Sequence, residues 1–98
     1  MLSTASARER LFAIPALDLW SAPSPVQEMS RLRHELGGGP RLLIKRDDAI
    51  PFGFGGNKVR KVALEAARAI AEGADTLLSV GGLQSNSARV VAATAARM

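Results

Sequence analysis

The sequence predicts an α/β fold with a parallel sheet, and two stretches carry that prediction. Arg41–Arg46 (RLLIKR) has the short apolar middle of a buried strand, and it gives way to a glycine-rich loop and then to a helical pattern beginning at Asn57. Asp75–Val80 (DTLLSV) starts the same series again, with the turn Gly81–Ser85 (GGLQS) and another helical pattern behind it. Strand, loop, helix, twice over, is the order that right-handed crossovers between parallel strands produce.

Taken in order, residues 1–22 show no sustained period. LFAIPALDLW is apolar but interrupted by Pro15, and reads as an extended arm lying across a core. Ser24 followed by Pro25 is a helix-start signal, and Val26, Met29, Leu32, Arg33 and Leu36 follow at helical spacing. Gly37–Gly38–Gly39–Pro40 stops that helix. After the strand, Asp47–Gly56 (DDAIPFGFGG) is a loop. From Asn57, Val59, Val62, Ala63, Ala66, Ala69 and Ile70 share one face, with Arg60, Lys61, Glu65, Arg68 and Glu72 mostly opposite, and Gly73 closes the helix. Asn86 or Ser87 is the expected cap of the last helix, which carries Val90, Val91, Ala92 and Ala95. That pattern reaches Met98 without a stop signal, so the chain reads as the N-terminal part of a longer α/β protein.

Composition narrows the function. With 98 residues, 47% of them apolar and 22% charged, the chain is globular and forms one domain or part of one. It has no cysteine and one histidine, His34, so thiol chemistry is excluded and a zinc site is not expected. It contains neither a secretory leader nor an apolar run of membrane-spanning length, which makes a soluble cytoplasmic protein the expectation. The net charge of +4 is spread from Arg8 to Arg97, and the aromatics are only Phe12, Trp20, Phe52 and Phe54, so a nucleic-acid surface is not favoured.

Two places could carry chemistry. In Gly55–Gly56–Asn57–Lys58 the glycines allow close backbone approach to a ligand. Lys58, in a first helical turn beside Arg60 and Lys61, meets positive potential that favours a neutral, nucleophilic amine, as a Schiff base requires. The plain alternative is an exposed, inert lysine. The second place is Gly81–Gly82–Leu83–Gln84–Ser85–Asn86, where a helix start and the side chains of Gln84, Ser85 and Asn86 offer donors to a carboxylate, the alternative being a well-capped turn. Neither G-x-G-x-x-G nor a Walker loop is present. Asp47 and Asp48, as neighbours in a strand, would point to opposite faces, so a shared-proton dyad is not expected and pairing with Arg46 or a later cation is. His34 reads as a surface residue.

Together, IKRDDAIPFGFGGNKVRK, GADTLLSVGGLQSN and ARVVAATAA resemble the N-terminal third of the 1-aminocyclopropane-1-carboxylate deaminase and D-cysteine desulfhydrase family, over roughly residues 20–98. The resemblance implies a three-layer parallel-sheet fold of the tryptophan synthase β type, with residues 1–58 forming an arm and the start of a large domain, and residues 59–98 the start of a smaller one. It implies pyridoxal 5'-phosphate as cofactor and Lys58 as the lysine bound to it. Asn86 falls on the residue that hydrogen-bonds the cofactor's phenolic oxygen. Ser85 falls on a catalytic position and, with Gln84, Asn86 and nearby backbone amides, holds the substrate carboxylate. The implied reaction takes a small amino acid to a 2-oxo acid and ammonia, with sulfide released from cysteine, in a full-length homodimer. Ser87 stands where the family's desulfhydrases commonly have histidine and its deaminases often glutamine, which leaves the substrate open. The family's phosphate loop and later tyrosines have no counterpart within these 98 residues.

Two other readings stay beside this one. A serine or threonine dehydratase or a cysteine synthase shares the implied fold, but its lysine block typically differs from GGNKVRK. A non-catalytic chain binding an anion or a partner would keep its ligand after Lys58→Ala.

Overall fold

A computed structural model describes residues 4–98. The element order is α1 (Thr4–Phe12), β1 (Val26–Glu28), α2 (Ser30–Glu35), β2 (Leu43–Lys45), two single 3-10 turns (Asp47–Ala49 and Phe52–Phe54), α3 (Lys58–Ala71) and α4 (Asn86–Arg97).

The core lies between α3, α4 and the segment that follows α1. Leu19, Ile50, Val59, Val62, Ala63, Ala66 and Val90 are buried together, with Leu17, Trp20, Phe52, Leu77 and Val91 packed around them. Val59, Val62, Ala63 and Ala66 are the predicted apolar face of α3, whereas Ala69 is half-buried and Ile70 exposed near the helix end. Each fully buried valine contributes roughly 1.5–3 kcal/mol. Gly73, at φ 86°, ends the helix as expected, its N–H donating to Ile70 O.

α3 and α4 run in the same sense. At their beginnings, Arg89 of α4 bonds to the loop that leads into α3. At their ends, Ile70 of α3 and Ala95 and Met98 beyond α4's middle line one cleft. Both helix N-termini therefore lie toward one end of the core.

Several expectations are corrected. The N-terminal arm is helical over Thr4–Phe12, because TASARERLF is rich in helix formers, and Arg8 lies 5.4 Å from the Phe12 ring one turn away. Only the part after Pro15 crosses the core, where Leu17 N donates to Ala63 O; Met1–Ser3 lie outside the described residues. The helix expected from Ser24–Pro25 begins later, at Ser30, and Val26–Glu28 instead pairs antiparallel with Leu43–Lys45, Gln27 opposite Ile44. Strand pairing overrides the helical spacing of Val26 and Met29, and Pro25, lacking an N–H, sits just ahead of the strand. Gly37, Gly38 and Gly39 do stop α2, with Gly38 N donating to Arg33 O.

The two-stranded ladder is the only sheet among the described residues. Leu43 and Ile44 are exposed, so RLLIKR is not a buried strand. Asp75–Val80 is not a strand either: Leu78 is 92% and Val80 98% exposed, and no described strand lies beside them. A strand exists only through its ladder, so the predicted parallel sheet is not formed by these residues. The Cα radius of gyration, 16.9 Å, exceeds the roughly 13 Å of a compact domain of this length. No described helix is long and apolar enough to cross a membrane.

Candidate functional site: two helix starts on one glycine-rich loop

Lys58 is the first residue of α3 and half-buried. Among the described residues, no hydrogen bond or ion pair engages its side chain. The helix start that carries it is held from below by a part-buried polar knot. Arg60 Nε donates to Asp47 Oδ2 at 2.9 Å, and Arg60 Nη2 donates to Asp47 Oδ1 at 2.8 Å. Ser24 Oγ donates to Asp47 Oδ1 at 2.7 Å and accepts from Arg60 Nη2 at 2.9 Å, while Lys45 Nζ donates to Ser24 O. Arg60 also lies over the Trp20 ring at 5.5 Å. The Arg60 fork and the Ser24 hydroxyl hold the Asp47 carboxyl down to about 2.

This knot settles the two aspartates. They sit in a 3-10 turn rather than a strand and take separate partners: Asp47 takes Arg60, and Asp48 takes Arg46 at 2.7 Å. They form no dyad. Arg60 is likewise no free cation beside Lys58, since its charge is spent on Asp47.

The loop between Asp47 and Lys58 is fixed residue by residue. Gly56 N donates to Asp47 O at 2.7 Å and Gly55 N to Phe52 O at 2.9 Å. A Cβ on Gly55 would stand 2.5 Å from Asp48 O and 2.9 Å from Ile50 O, and the residue has φ 72°, so only glycine fits.

The second site opens α4. Ser85, not Asn86 or Ser87, is the cap: its Oγ accepts from Ala88 N at 3.1 Å. A Cβ on Gly81 would come within 2.4 Å of Ser85 Oγ, so Gly81 makes room for the cap. Asn86 and Gln84 are exposed, and Ser85 half-buried. His34 is exposed on α2, as expected.

The loop joins the two sites. Arg89, in the first turn of α4, donates from Nε to Gly53 O at 2.9 Å and from Nη2 to Gly55 O at 3.4 Å. The loop that ends at Lys58 is thus tied to the helix that begins at Asn86. Sequence reasoning missed Arg89 and the role of Asp47 and Arg60. A signal for Arg89 was available: a cation in a first helical turn opposes the helix dipole and so calls for a partner elsewhere.

The donor set fits an aldehyde-bearing, anionic cofactor at its reactive end. It combines a primary amine with no partner among the described residues and, nearby in the fold, a helix start whose exposed Asn86 and Gln84 offer donors.

Fold and site define a class, an α/β chain that presents a lysine amine at one helix start and ties its loop to a second helix start. The comparisons place that class. No protein-family model matches the chain. It is 46% identical over 90 residues to a D-cysteine desulfhydrase of Klebsiella pneumoniae subsp. pneumoniae, covering 92% of this chain and 27% of the relative. It is 44% identical over 91 residues to a D-cysteine desulfhydrase of Serratia proteamaculans, covering 93% and 27%. The crystal structure of an ACC deaminase homologue superposes with a TM-score of 0.80 at 34% identity, over 89% of this chain and 26% of that one. Sequence and structure agree: the chain is homologous to a stretch of the D-cysteine desulfhydrase and ACC deaminase family. It spans about 27% of the length of the curated relatives it matches.

Proposed function

We propose that this sequence is the N-terminal part of a pyridoxal-phosphate-dependent lyase or deaminase. It degrades a small amino acid, D-cysteine or 1-aminocyclopropane-1-carboxylate, to a 2-oxo acid and ammonia, with sulfide released from cysteine. The observation that carries this reading is the tie through one loop between Lys58, whose amine has no partner among the described residues, and the Ser85–Asn86 helix start.

When bound, pyridoxal phosphate supplies an electron sink beside the amine-bearing carbon of the substrate. The chain's own residues do the rest. The Lys58 amine would hold the cofactor and would serve as the base that moves a proton at the substrate carbon. Asn86 would donate a hydrogen bond to the cofactor's phenolic oxygen. Ser85 caps α4 through its oxygen lone pair, which leaves its hydroxyl hydrogen for a substrate carboxylate, and Gln84 and the first amides of α4 complete that anion site.

Residue 58 is proposed as the point where an arm and large domain give way to a smaller one, in a cytoplasmic homodimer of the relatives' length. The exposed Leu78, Val80 and Leu83 and the open shape of the chain support a longer protein. The test is sulfide, ammonia and 2-oxo acid release by the full-length protein from D-cysteine and from 1-aminocyclopropane-1-carboxylate. Turnover of one of them that Lys58→Ala abolishes is expected. Turnover of neither, or turnover surviving Lys58→Ala, overturns the reading.

A further inference from the structure

We propose that Arg89 is a positioning residue that sets Lys58 against the Ser85–Asn86 turn, an inference that rests on the function proposed above. The loop ahead of Lys58 contains four consecutive residues at positive φ: Gly53 at 58°, Phe54 at 63°, Gly55 at 72° and Gly56 at 94°. For a phenylalanine that conformation costs roughly 1–2 kcal/mol, and it persists only where surrounding contacts hold it. Asp47 O holds the back of the loop through Gly56 N.

Arg89 holds the front. Its fork bonds the carbonyls of Gly53 and Gly55, and its guanidinium lies 5.9 Å from the ring of the residue between them, Phe54. One side chain therefore spans the first three residues of the kink, and the bond to Asp47 O holds the fourth. The backbone of Arg89 is bound at the other site, where its N–H donates to Ser85 O at 3.1 Å. Arg89 also lies three residues beyond Asn86, on the same helical face. A single residue thus touches the cap of one candidate site and the loop that delivers the lysine of the other. Its place in the first turn of α4 does not serve that helix, because a cation there opposes the dipole. A lysine could not reproduce the two-pronged contact.

The test uses the full-length protein carrying these residues. It is incubated with pyridoxal phosphate, borohydride fixes the cofactor on whichever lysine holds it, and peptide mass spectrometry compares Lys58 with Lys45 and Lys61. The wild type labels Lys58 preferentially. Arg89→Met lowers Lys58 labelling by roughly tenfold or more, as a misplaced reacting group does. Lys45 and Lys61 are unaffected, and added guanidinium ion restores part of the Lys58 signal. Arg89→Lys falls between, about threefold down, having lost the fork. Should Arg89→Met fail to fold by circular dichroism, Arg89→Lys decides: reduced Lys58 labelling supports the role, and wild-type labelling overturns it. Undiminished Lys58 labelling in folded Arg89→Met also overturns it. A wild type with no preference for Lys58 sinks both this inference and the proposed function, an outcome distinct from a labelled wild type with an equally labelled variant.

Discussion

The two candidate sites are built in opposite ways. The approach to Lys58 is fixed by contacts within the described residues, through Asp47, Ser24 and Arg60 beneath it, Arg89 across it, and the fully buried Val59 one residue beyond it. The approach to Asn86 is almost bare. Among the described residues Asp75–Val80 has no ladder, Leu83 is fully exposed, and the turn rests on one cap bond and on Ser85 N donating to Gly82 O. The position of Lys58 is thus encoded locally. The Ser85–Asn86 turn is held by few contacts among the described residues.

The sharpest way to break this contrast is Gly55→Ala. Its Cβ would meet two carbonyl oxygens at φ 72°, so a loss of about 3 kcal/mol or more is expected, read as a lowered urea midpoint. Next comes the knot. Asp47→Asn removes the charged half of the fork and should cost about 1–2 kcal/mol, allowing for the partial exposure of Arg60. Acid sharpens this prediction. Because the carboxyl titrates lower in the folded state than in the unfolded, its contribution is full above about 4 and is lost as pH falls toward about 2. Asp47→Asn should flatten that part of the stability-against-pH curve, and an unchanged curve would count against the knot.

At the second site the effects are smaller. Ser85→Ala should cost about 1 kcal/mol through loss of the cap, read by the same urea unfolding. Leu78→Gln should change the stability of the 98-residue chain by less than about 0.5 kcal/mol, since the side chain touches little. A large loss from Leu78→Gln would contradict the contrast between the two regions.

Much of the better-anchored region was legible in the sequence. The apolar stripe of α3 and its stop at Gly73 follow from helical period and from the one residue type suited to positive φ. The positions of Lys58 and Asn86 at helix starts were read correctly, and so was the absence of an aspartate dyad. What the sequence could not reveal was non-local. Val26–Glu28 obeys helical spacing and still forms a strand because Leu43–Lys45 lies beside it. Asp75–Val80 has strand composition but no described partner. The bond from Arg89 to Gly53 spans 36 positions, and only the packing of α4 on the loop brings the two together. The cap at Ser85 was missed by a single residue, since three successive residues of the turn can all cap a helix.

The assignment of Lys58 is tested most directly by titrating the full-length protein with pyridoxal phosphate and following the visible absorbance of the cofactor bound to a lysine. The wild type should develop that band and Lys58→Ala should not. A band that survives Lys58→Ala, or no band in the wild type, would contradict it.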